Sequence, residues 1–216
     1  MISDLQIDSL RQRWQRTIEQ LRIDGAAAQP VWEVLRAAYS APERYYHNLE
    51  HLTEMFAIVD RLASRLVHPV AVELAVWFHD AVYDTHATNN EQRSGELAVD
   101  LLGPLGVPAS TIECIVPMIW ATANFQSQDA LPTGDTAVLL DADRAILGSA
   151  PERYSEYARA IRAEYHWVAE STYRMARAAV LREFLERPRI YATEEIYAER
   201  ENQARNNLRA ELSQWE

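Results

Sequence analysis

The sequence contains no lysine, since all 21 of its basic residues are arginines. A lysine Schiff base and the lysine of a P-loop nucleotide site are therefore excluded. The single cysteine, Cys114, excludes an intramolecular disulfide and any metal site built from several thiolates. Because Cys114 lies in an apolar stretch, we interpret it as a buried structural residue rather than a catalytic thiol.

Positive charge and long apolar runs are also scarce. The 21 basic residues are opposed by 32 acidic ones, which gives a net charge of −11 and disfavours a surface for nucleic acid or anionic membrane. No run approaches the ~18 apolar residues of a membrane span. The first residues lack the basic and apolar regions of a signal peptide. We therefore expect a cytoplasmic protein with no nucleic-acid partner and no membrane partner.

The composition and periodicity predict an all-α fold. With 216 residues, 48% of them hydrophobic, the chain can form one domain with a sizeable core. Apolar residues recur at steps of three and four, as from Ile7 to Leu21, where Ser3 is a candidate N-cap. Proline and glycine divide the chain into roughly eight to ten helices. We predict a single domain over 1–216, with a core at about 26–165, C-terminal helices at about 169–216 packed on it, and the longest loop at 124–134.

Five of the six histidines lie between His47 and His86. The spacing of His47 and His51 predicts that both lie on one helix, about 6 Å apart along its axis and at the flank of its apolar stripe. Such a flank is where a cleft opens, although an ordinary surface pair explains the spacing equally well. His68 and His86 are expected in loops, and His166 at a helix end.

A second pair of polar residues interrupts an apolar segment. From Leu74 to Tyr83, only His79 and Asp80 are neither apolar nor aromatic. A helix of this composition is buried, and a buried imidazole beside a buried carboxylate needs a partner or a metal ion. We favour a metal ion over a hydrogen-bonded pair within the core.

A third candidate, Asp143, is in line with the apolar residues of its predicted helix, including Leu139 and Ile146. A carboxylate there needs a partner, whereas Asp141 faces small residues and is expected to support the site or to be solvated. The four predicted metal ligands are His51, His79, Asp80 and Asp143. Two imidazoles and two carboxylates suit one divalent ion such as Mn, Fe, Co, Ni or Zn, and Mg is also compatible. Such an ion makes hydroxide available near neutral pH and screens charge on a phosphoryl oxygen.

Three segments carry a more specific signal. They are Arg44-Tyr-Tyr-His-Asn-Leu-Glu-His51, Trp77-Phe-His-Asp-Ala-Val-Tyr-Asp84 and Asp141-Ala-Asp-Arg-Ala-Ile-Leu-Gly148. Together they resemble the HD-domain superfamily, and within it a small bacterial family described as predicted metal-dependent HD phosphohydrolases. The resemblance implies an HD-domain-like helical bundle with additional C-terminal helices. It also implies hydrolysis of a phosphate ester, with nucleotides among the candidate substrates.

Two other branches of the superfamily imply roles for particular residues. The first segment is similar to that of cyclic-nucleotide phosphodiesterases, which implies that His51 binds metal and that His47 is the general acid for the leaving oxygen. The second is similar to that of bacterial (p)ppGpp hydrolases, in which an acidic pair orients the attacking water. The second acid of that pair is Asp84 here, and Tyr83 stands in the place of the first.

Three residues are predicted to bind the substrate. Arg44 lies near His47, and its guanidinium matches the geometry of a phosphate, although a surface salt bridge is the alternative. Glu91 and Ser94 share one face of a predicted helix and are expected to point towards the substrate, with helix capping as the alternative. Further candidates for the phosphate contact are Arg162 and Arg187.

We therefore predict an enzyme, a metal-dependent phosphohydrolase that acts on a small phosphorylated substrate. The alternative is a catalytically silent HD module that binds a nucleotide and regulates a partner. An HD-type oxygenase would need two irons and additional ligands, which we do not find in the sequence. The oligomeric state is left open.

Overall fold

A computed structural model describes residues 3–123 and 131–215, and within them it shows ten α-helices, two short 3₁₀ turns and no strand. The predicted all-α class is confirmed. Most of the loop predicted at 124–134 lies outside the described residues. In the described part of the chain, no helix combines the length and the apolar composition needed to cross a membrane.

The helices follow one another along the chain as α1 (Asp4–Gln20), α2 (Gly25–Tyr39), α3 (Leu49–Arg61), α4 (Pro69–Phe78), α5 (Asn90–Leu102), α6 (Ala109–Ala123), α7 (Gly134–Arg144), α8 (Pro151–Glu164), α9 (Glu170–Glu186) and α10 (Glu194–Leu212).

The start of α1 agrees with the sequence pattern. The Ser3 side chain accepts a hydrogen bond from the backbone of Gln6, and the Gln6 side chain accepts one from the backbone of Ser3. This reciprocal capping box satisfies two backbone donors at the helix N-terminus. The buried face of α1 presents Trp14, whose indole packs edge-on against Trp77 of α4.

Helix α4 occupies the centre of the fold, and its residues from Ala71 to Phe78 are almost entirely buried. Trp77 contacts three aromatic rings, those of Trp14, Trp32 and Phe56. The prediction that this helix extends to Tyr83 is wrong, because α4 ends at Phe78 and His79 is its C-cap residue. The chain then forms a buried turn. The residues of this turn are as apolar as those of α4, so composition alone does not mark the end of the helix.

Helices α3, α4 and α7 pack against one another in all three pairings. The first turn of α3, the end of α4 and the end of α7 therefore meet in one region. This packing positions the candidate site, because each of the three segments contributes a predicted metal ligand.

The C-terminal part contacts this core through α10, which packs on α9 and on the 3₁₀ turn Ala145–Gly148 that follows α7. Gly148 allows the close approach, because a β-carbon there would lie 2.5 Å from Cβ of Arg200 and 2.7 Å from its carbonyl oxygen. The Asn207 side chain reinforces the contact by donating to the carbonyls of Leu147 and Ser149.

Cys114 lies on α6 and differs from the expectation of a fully buried residue. It is only half-buried, although its side chain packs against the core.

Candidate metal centre

Four side chains from three parts of the fold converge at one point. Nε2 of His51, in the first turn of α3, lies 3.3 Å from Nε2 of His79, which follows α4. Oδ2 of Asp80 lies 3.1 Å from the same His79 nitrogen. Oδ1 of Asp143, near the end of α7, lies 3.4 Å from His51 Nε2 and 3.9 Å from His79 Nε2. The structure thus brings together all four residues that were predicted as ligands.

These separations fit a metal site. Two ligand atoms about 2.1 Å from one ion lie about 3.0–3.4 Å apart, depending on the coordination geometry. In the group of His51, His79 and Asp80, the ligand atoms all lie within 4.8 Å of one another, and all three residues are buried. His79 Nδ1 donates to the carbonyl of Val76 at 2.9 Å, which leaves Nε2 to face the cluster. Such a bond fixes the orientation of an imidazole that binds metal. This group can therefore hold a metal ion.

The charges of the cluster favour a cation. Burial would lower the pKa of His79, but the charges of Asp80 and Asp143 and the hydrogen bonds to Asp80 and Val76 together outweigh burial and raise that pKa to about 9. Burial would raise the pKa of Asp80, but the charge and hydrogen bond of His79, together with the charges of His47 and His51, outweigh burial and hold that pKa well below its usual range. The two carboxylates thus retain a proton on a buried imidazole. A divalent ion that displaced this proton would place positive charge beside the same two carboxylates.

His47 does not share a helix with His51, contrary to the prediction. Helix α3 begins at Leu49, because the side chain of Asn48 accepts from the backbone of Glu50 and caps the helix. His47 therefore lies in the preceding turn, where its Nδ1 donates to Oε2 of Glu164 at 2.7 Å. Its Nε2 points towards the cluster and lies 3.9 Å from Oδ2 of Asp80.

Glu164 holds His47 in place from the end of α8. Its carboxylate also accepts hydrogen bonds from the backbone nitrogens of Tyr46 and His47 and from the hydroxyl of Tyr83. Burial would lower the pKa of His47, but the hydrogen bond to Glu164, together with the charges of Glu164, Asp80 and Asp143, outweighs burial and raises the pKa above its ordinary value. Glu164 was missed in the sequence, although it is in line with the buried residues Tyr157 and Ile161 of α8. The rule that selected Asp143, a carboxylate on an apolar stripe, would also have selected Glu164.

Arg44 was predicted to clamp a phosphate, and the structure corrects this. The side chain is buried, and its guanidinium donates to three backbone carbonyls, those of His47, Asp80 and Ala81, at 3.0, 2.7 and 3.1 Å. The guanidinium also stacks over the rings of Tyr39 and Tyr83. Arg44 thus fixes the turn that carries Asp80, and it does not line the cavity at the cluster.

Asp84 and Ser94 are also outside the cavity lining. Asp84 is exposed, and its side chain accepts from the backbone of His86 within its own loop, so it does not reach the cluster as the implied water-orienting acid should. Because α4 ends at Phe78, Asp80 and Asp84 do not lie on one helix, and no helical spacing brings Asp84 to the cluster. Ser94 is fully buried, and its hydroxyl is hydrogen-bonded to both the N–H and the carbonyl of Val82.

Asp141 supports the fold two residues before Asp143. It is fully buried rather than solvated, and it accepts from the backbone nitrogens of Ala192 and Thr193 at 2.8 and 2.7 Å. It also accepts from the Thr193 hydroxyl at 2.6 Å. Thr193 is the N-cap residue of α10, so this carboxylate connects α7 to the N-terminus of α10.

A cavity of about 380 Å³ opens beside the cluster. His47, His79, Asp80 and Asp143 contribute to its lining, as does Glu91, one of the predicted substrate contacts. Burial raises the pKa of Glu91, and the charges of Asp80 and Asp143 add to this effect. The rest of the lining consists of Tyr46, Tyr83, Thr122, Arg144, Ile146, Leu147, Tyr157, Ile161, Tyr165, Tyr173, Ala176, Arg177, Val180 and Phe184. Arg162 and Arg187, the further phosphate candidates, do not belong to it.

Comparison of the chain with models of protein families, with curated proteins and with solved structures gives no match. The functional interpretation therefore depends on the sequence motifs and on the geometry of this site.

Proposed function

We propose that the chain is a metal-dependent phosphohydrolase of the HD type that cleaves a phosphate ester, with nucleotides among its candidate substrates. The observation that carries this proposal is the convergence of His51, His79, Asp80 and Asp143 beside a cavity of small-molecule size. A divalent ion held there, with Mn, Fe, Co, Ni or Zn preferred by this ligand set, would activate a water molecule and screen the charge on the phosphoryl group.

His47 is the proposed general acid. Its Nδ1 hydrogen is used in the bond to Glu164, so Nε2 is the atom that faces the cavity and the cluster. The raised pKa of His47 keeps Nε2 protonated closer to neutral pH, which suits a group that gives a proton to the leaving oxygen.

We assign to two residues of the cavity lining the roles that were predicted for Asp84 and Arg44, because neither Asp84 nor Arg44 lines the cavity. Glu91 brings a carboxylate to the cavity, and we assign it the water-orienting role in place of the exposed Asp84. Arg144 directly follows Asp143, and we assign its guanidinium to the phosphate in place of Arg44. Arginine suits this role because its planar fork of donors matches phosphate oxygens.

The test uses purified protein that is stripped with a chelator and then loaded separately with Mn²⁺, Fe²⁺, Co²⁺, Ni²⁺, Zn²⁺ or Mg²⁺. Each form is assayed on phosphomonoesters, phosphodiesters and nucleotides. Asp80→Asn should lower the rate at least about a thousandfold, because it removes a proposed ligand. Asp84→Asn, four residues further along the chain, is the matched control, and the rate should stay within about twofold because Asp84 is exposed outside the cavity.

Activity that survives Asp80→Asn, or that is lost in Asp84→Asn alone, would contradict the proposed site. Protein that binds a metal ion and a nucleotide but hydrolyses nothing in the panel would favour the catalytically silent binding module.

A further inference from the structure

We propose that the substrate carries a single phosphate group on an apolar, ring-containing body, and that α8 and α9 enclose this body. The inference rests on the proposed function, because it takes the metal cluster as the phosphate end of the cavity. Two properties of the lining carry it: the composition of its walls and the distribution of its charges.

The cavity has a wall without polar side-chain groups, which we call the apolar wall. It consists of Ile146, Leu147, Ile161, Ala176, Val180 and Phe184. These residues come from the turn after α7 and from α8 and α9. Five tyrosines complete much of the remaining lining, namely Tyr46, Tyr83, Tyr157, Tyr165 and Tyr173. Apolar surface and aromatic faces favour a ring or a hydrocarbon body, since they gain free energy from excluding water.

Three hydroxyl groups of the lining are already engaged within the protein. Tyr83 donates to Glu164 at 3.0 Å, Thr122 donates to the carbonyl of Ile119 at 2.7 Å, and Tyr157 accepts from Arg177 at 3.3 Å. A polyol body would lose its hydrogen bonds to water on entering, and the hydroxyl hydrogens of Tyr83 and Thr122 do not replace them because both are already donated within the protein.

The charges of the lining limit the substrate to one phosphate. Among the described residues, the lining contains two arginines, Arg144 and Arg177. The Arg177 guanidinium forms a two-point ion pair with Glu211, at 2.9 and 3.1 Å, and both residues are buried. Arg177 and Glu211 therefore contribute no net charge to the cavity.

The other lining charges sit with the cluster. A divalent ion would bind one phosphate group at the cluster end of the cavity, where Asp80 and Asp143 also lie, whereas His47 is paired with Glu164 at 2.7 Å. A second phosphate group would lie against the apolar wall without a counter-charge, and burial of an unpaired charge is strongly unfavourable. Glu91 would add repulsion, since it is a further carboxylate of the lining.

Binding of phosphonates, which cannot be hydrolysed as esters, tests the inference separately from catalysis. Calorimetry on the Mn²⁺-loaded protein would compare 4-methylbenzylphosphonate, methylphosphonate and p-xylylenediphosphonate. The first should bind at least about tenfold more tightly than methylphosphonate, because its ring is buried. It should also bind at least about tenfold more tightly than the diphosphonate, which has the same ring but carries a second anionic group at the far end.

A matched pair of variants on α9 tests the position of the body. Ala176 lines the cavity and Ala179 does not, although both are exposed on the same helix. Ala176→Trp should weaken 4-methylbenzylphosphonate at least about fivefold, by filling the space for the ring, and leave methylphosphonate within about twofold. Ala179→Trp should leave both affinities unchanged.

The outcomes separate this inference from the proposed function. If the methylbenzyl compound binds no better than methylphosphonate, or the diphosphonate binds best, the inference is overturned even where esters are hydrolysed. Equal effects of the two tryptophan variants would overturn the assigned position. If the phosphonates rank as expected but no ester is hydrolysed with any metal, the inference on the ligand holds and the proposed catalysis fails.

Discussion

Glu164 lies behind His47 and fixes the positions of two residues of the cavity lining, His47 and Tyr83. One carboxylate accepts the Nδ1 hydrogen of His47, two backbone N–H groups and the hydroxyl of Tyr83. Burial would raise the pKa of Glu164, but the hydrogen bond and charge of His47, together with the two backbone N–H groups, outweigh burial and lower that pKa. Glu164 thus fixes the tautomer and the direction of His47, which is how a neighbouring carboxylate tunes an imidazole that acts in catalysis or metal binding.

Replacing Glu164 with glutamine should lower the hydrolysis rate by about ten- to a hundredfold and change metal affinity by less than about twofold. Glutamine is neutral, so the pKa of His47 falls. If His47 must be protonated to act, activity is lost above that pKa, and the alkaline limb of the kcat profile moves to lower pH. Kinetic pH profiles and an NMR titration of His47 measure the shift. Glu170→Gln, at an exposed ion pair with Arg162 and Arg174, is the control. An unmoved limb would remove Glu164 from this positioning role.

Arg44 gives a second prediction at the residue scale, because its three bonds to backbone carbonyls stabilise the turn of Asp80. Arg44→Ala should lower the free energy of unfolding by about 3 kcal/mol, since it leaves buried acceptors without donors. Arg36→Ala, at an exposed pair with Glu33, should cost less than about 0.5 kcal/mol. Urea denaturation measures both. An Arg44→Ala protein of unchanged stability but raised KM would restore the phosphate-clamp interpretation.

At the scale of single elements, α7 sends two carboxylates in two directions. Asp141 reaches the N-terminus of α10, whereas Asp143 reaches the imidazoles of His51 and His79. Residues two apart on a helix do not share a face, so one helix can serve the fold and the candidate site at once.

We expect the substitution of Asp by Asn to have different effects at these two positions: loss of stability at Asp141 and loss of metal affinity at Asp143. Asp141→Asn should cost about 2 kcal/mol of stability, because it weakens charge-assisted bonds at a helix N-terminus, and it should retain metal affinity. Asp143→Asn should lower metal affinity at least about tenfold and cost less stability than Asp141→Asn. Metal titration and thermal unfolding of both variants measure the contrast. Loss of metal binding in Asp141→Asn with a normal Asp143→Asn would reverse the assignment.

Helix ends mark the limit of what the sequence alone predicts here. The spacing of apolar residues correctly predicted the all-α class. It also singled out Asp143, which the structure places 3.4 Å from His51, but it did not show that Asp141 is the more deeply buried acid of α7. It did not predict the end of α4, because the segment up to Tyr83 stays apolar and the bonds of Arg44 that hold the turn join distant residues. Arg44 was misassigned for the same reason, since its acceptors are backbone carbonyls that no side-chain pattern reveals. The exposed position of Asp84 was not predicted either, because it follows from the end of α4 at Phe78.

At the scale of the whole molecule, the candidate ligands come from segments that lie far apart in the sequence. His51 begins α3, His79 and Asp80 follow α4, and Asp143 lies near the end of α7. These elements contact one another in pairs, so the ligands meet only in the folded chain. An ion bound there would join three elements. It would stabilise the folded state and not the unfolded state, in which the ligands are far apart.

Addition of a divalent ion at about 100 times its Kd should therefore stabilise the protein by about 2.7 kcal/mol, which raises Tm by about 5–10 °C at this chain length. A chelator should reverse the shift. His51→Gln removes a buried ligand and should abolish it, whereas His166→Gln, at an exposed imidazole after α8, should preserve it. Scanning calorimetry with Mn²⁺, Ni²⁺ and Zn²⁺ measures each case. If the unmodified protein showed no shift in Tm, the cluster would not bind the ion. If both variants shifted equally, a site elsewhere on the surface would explain the binding.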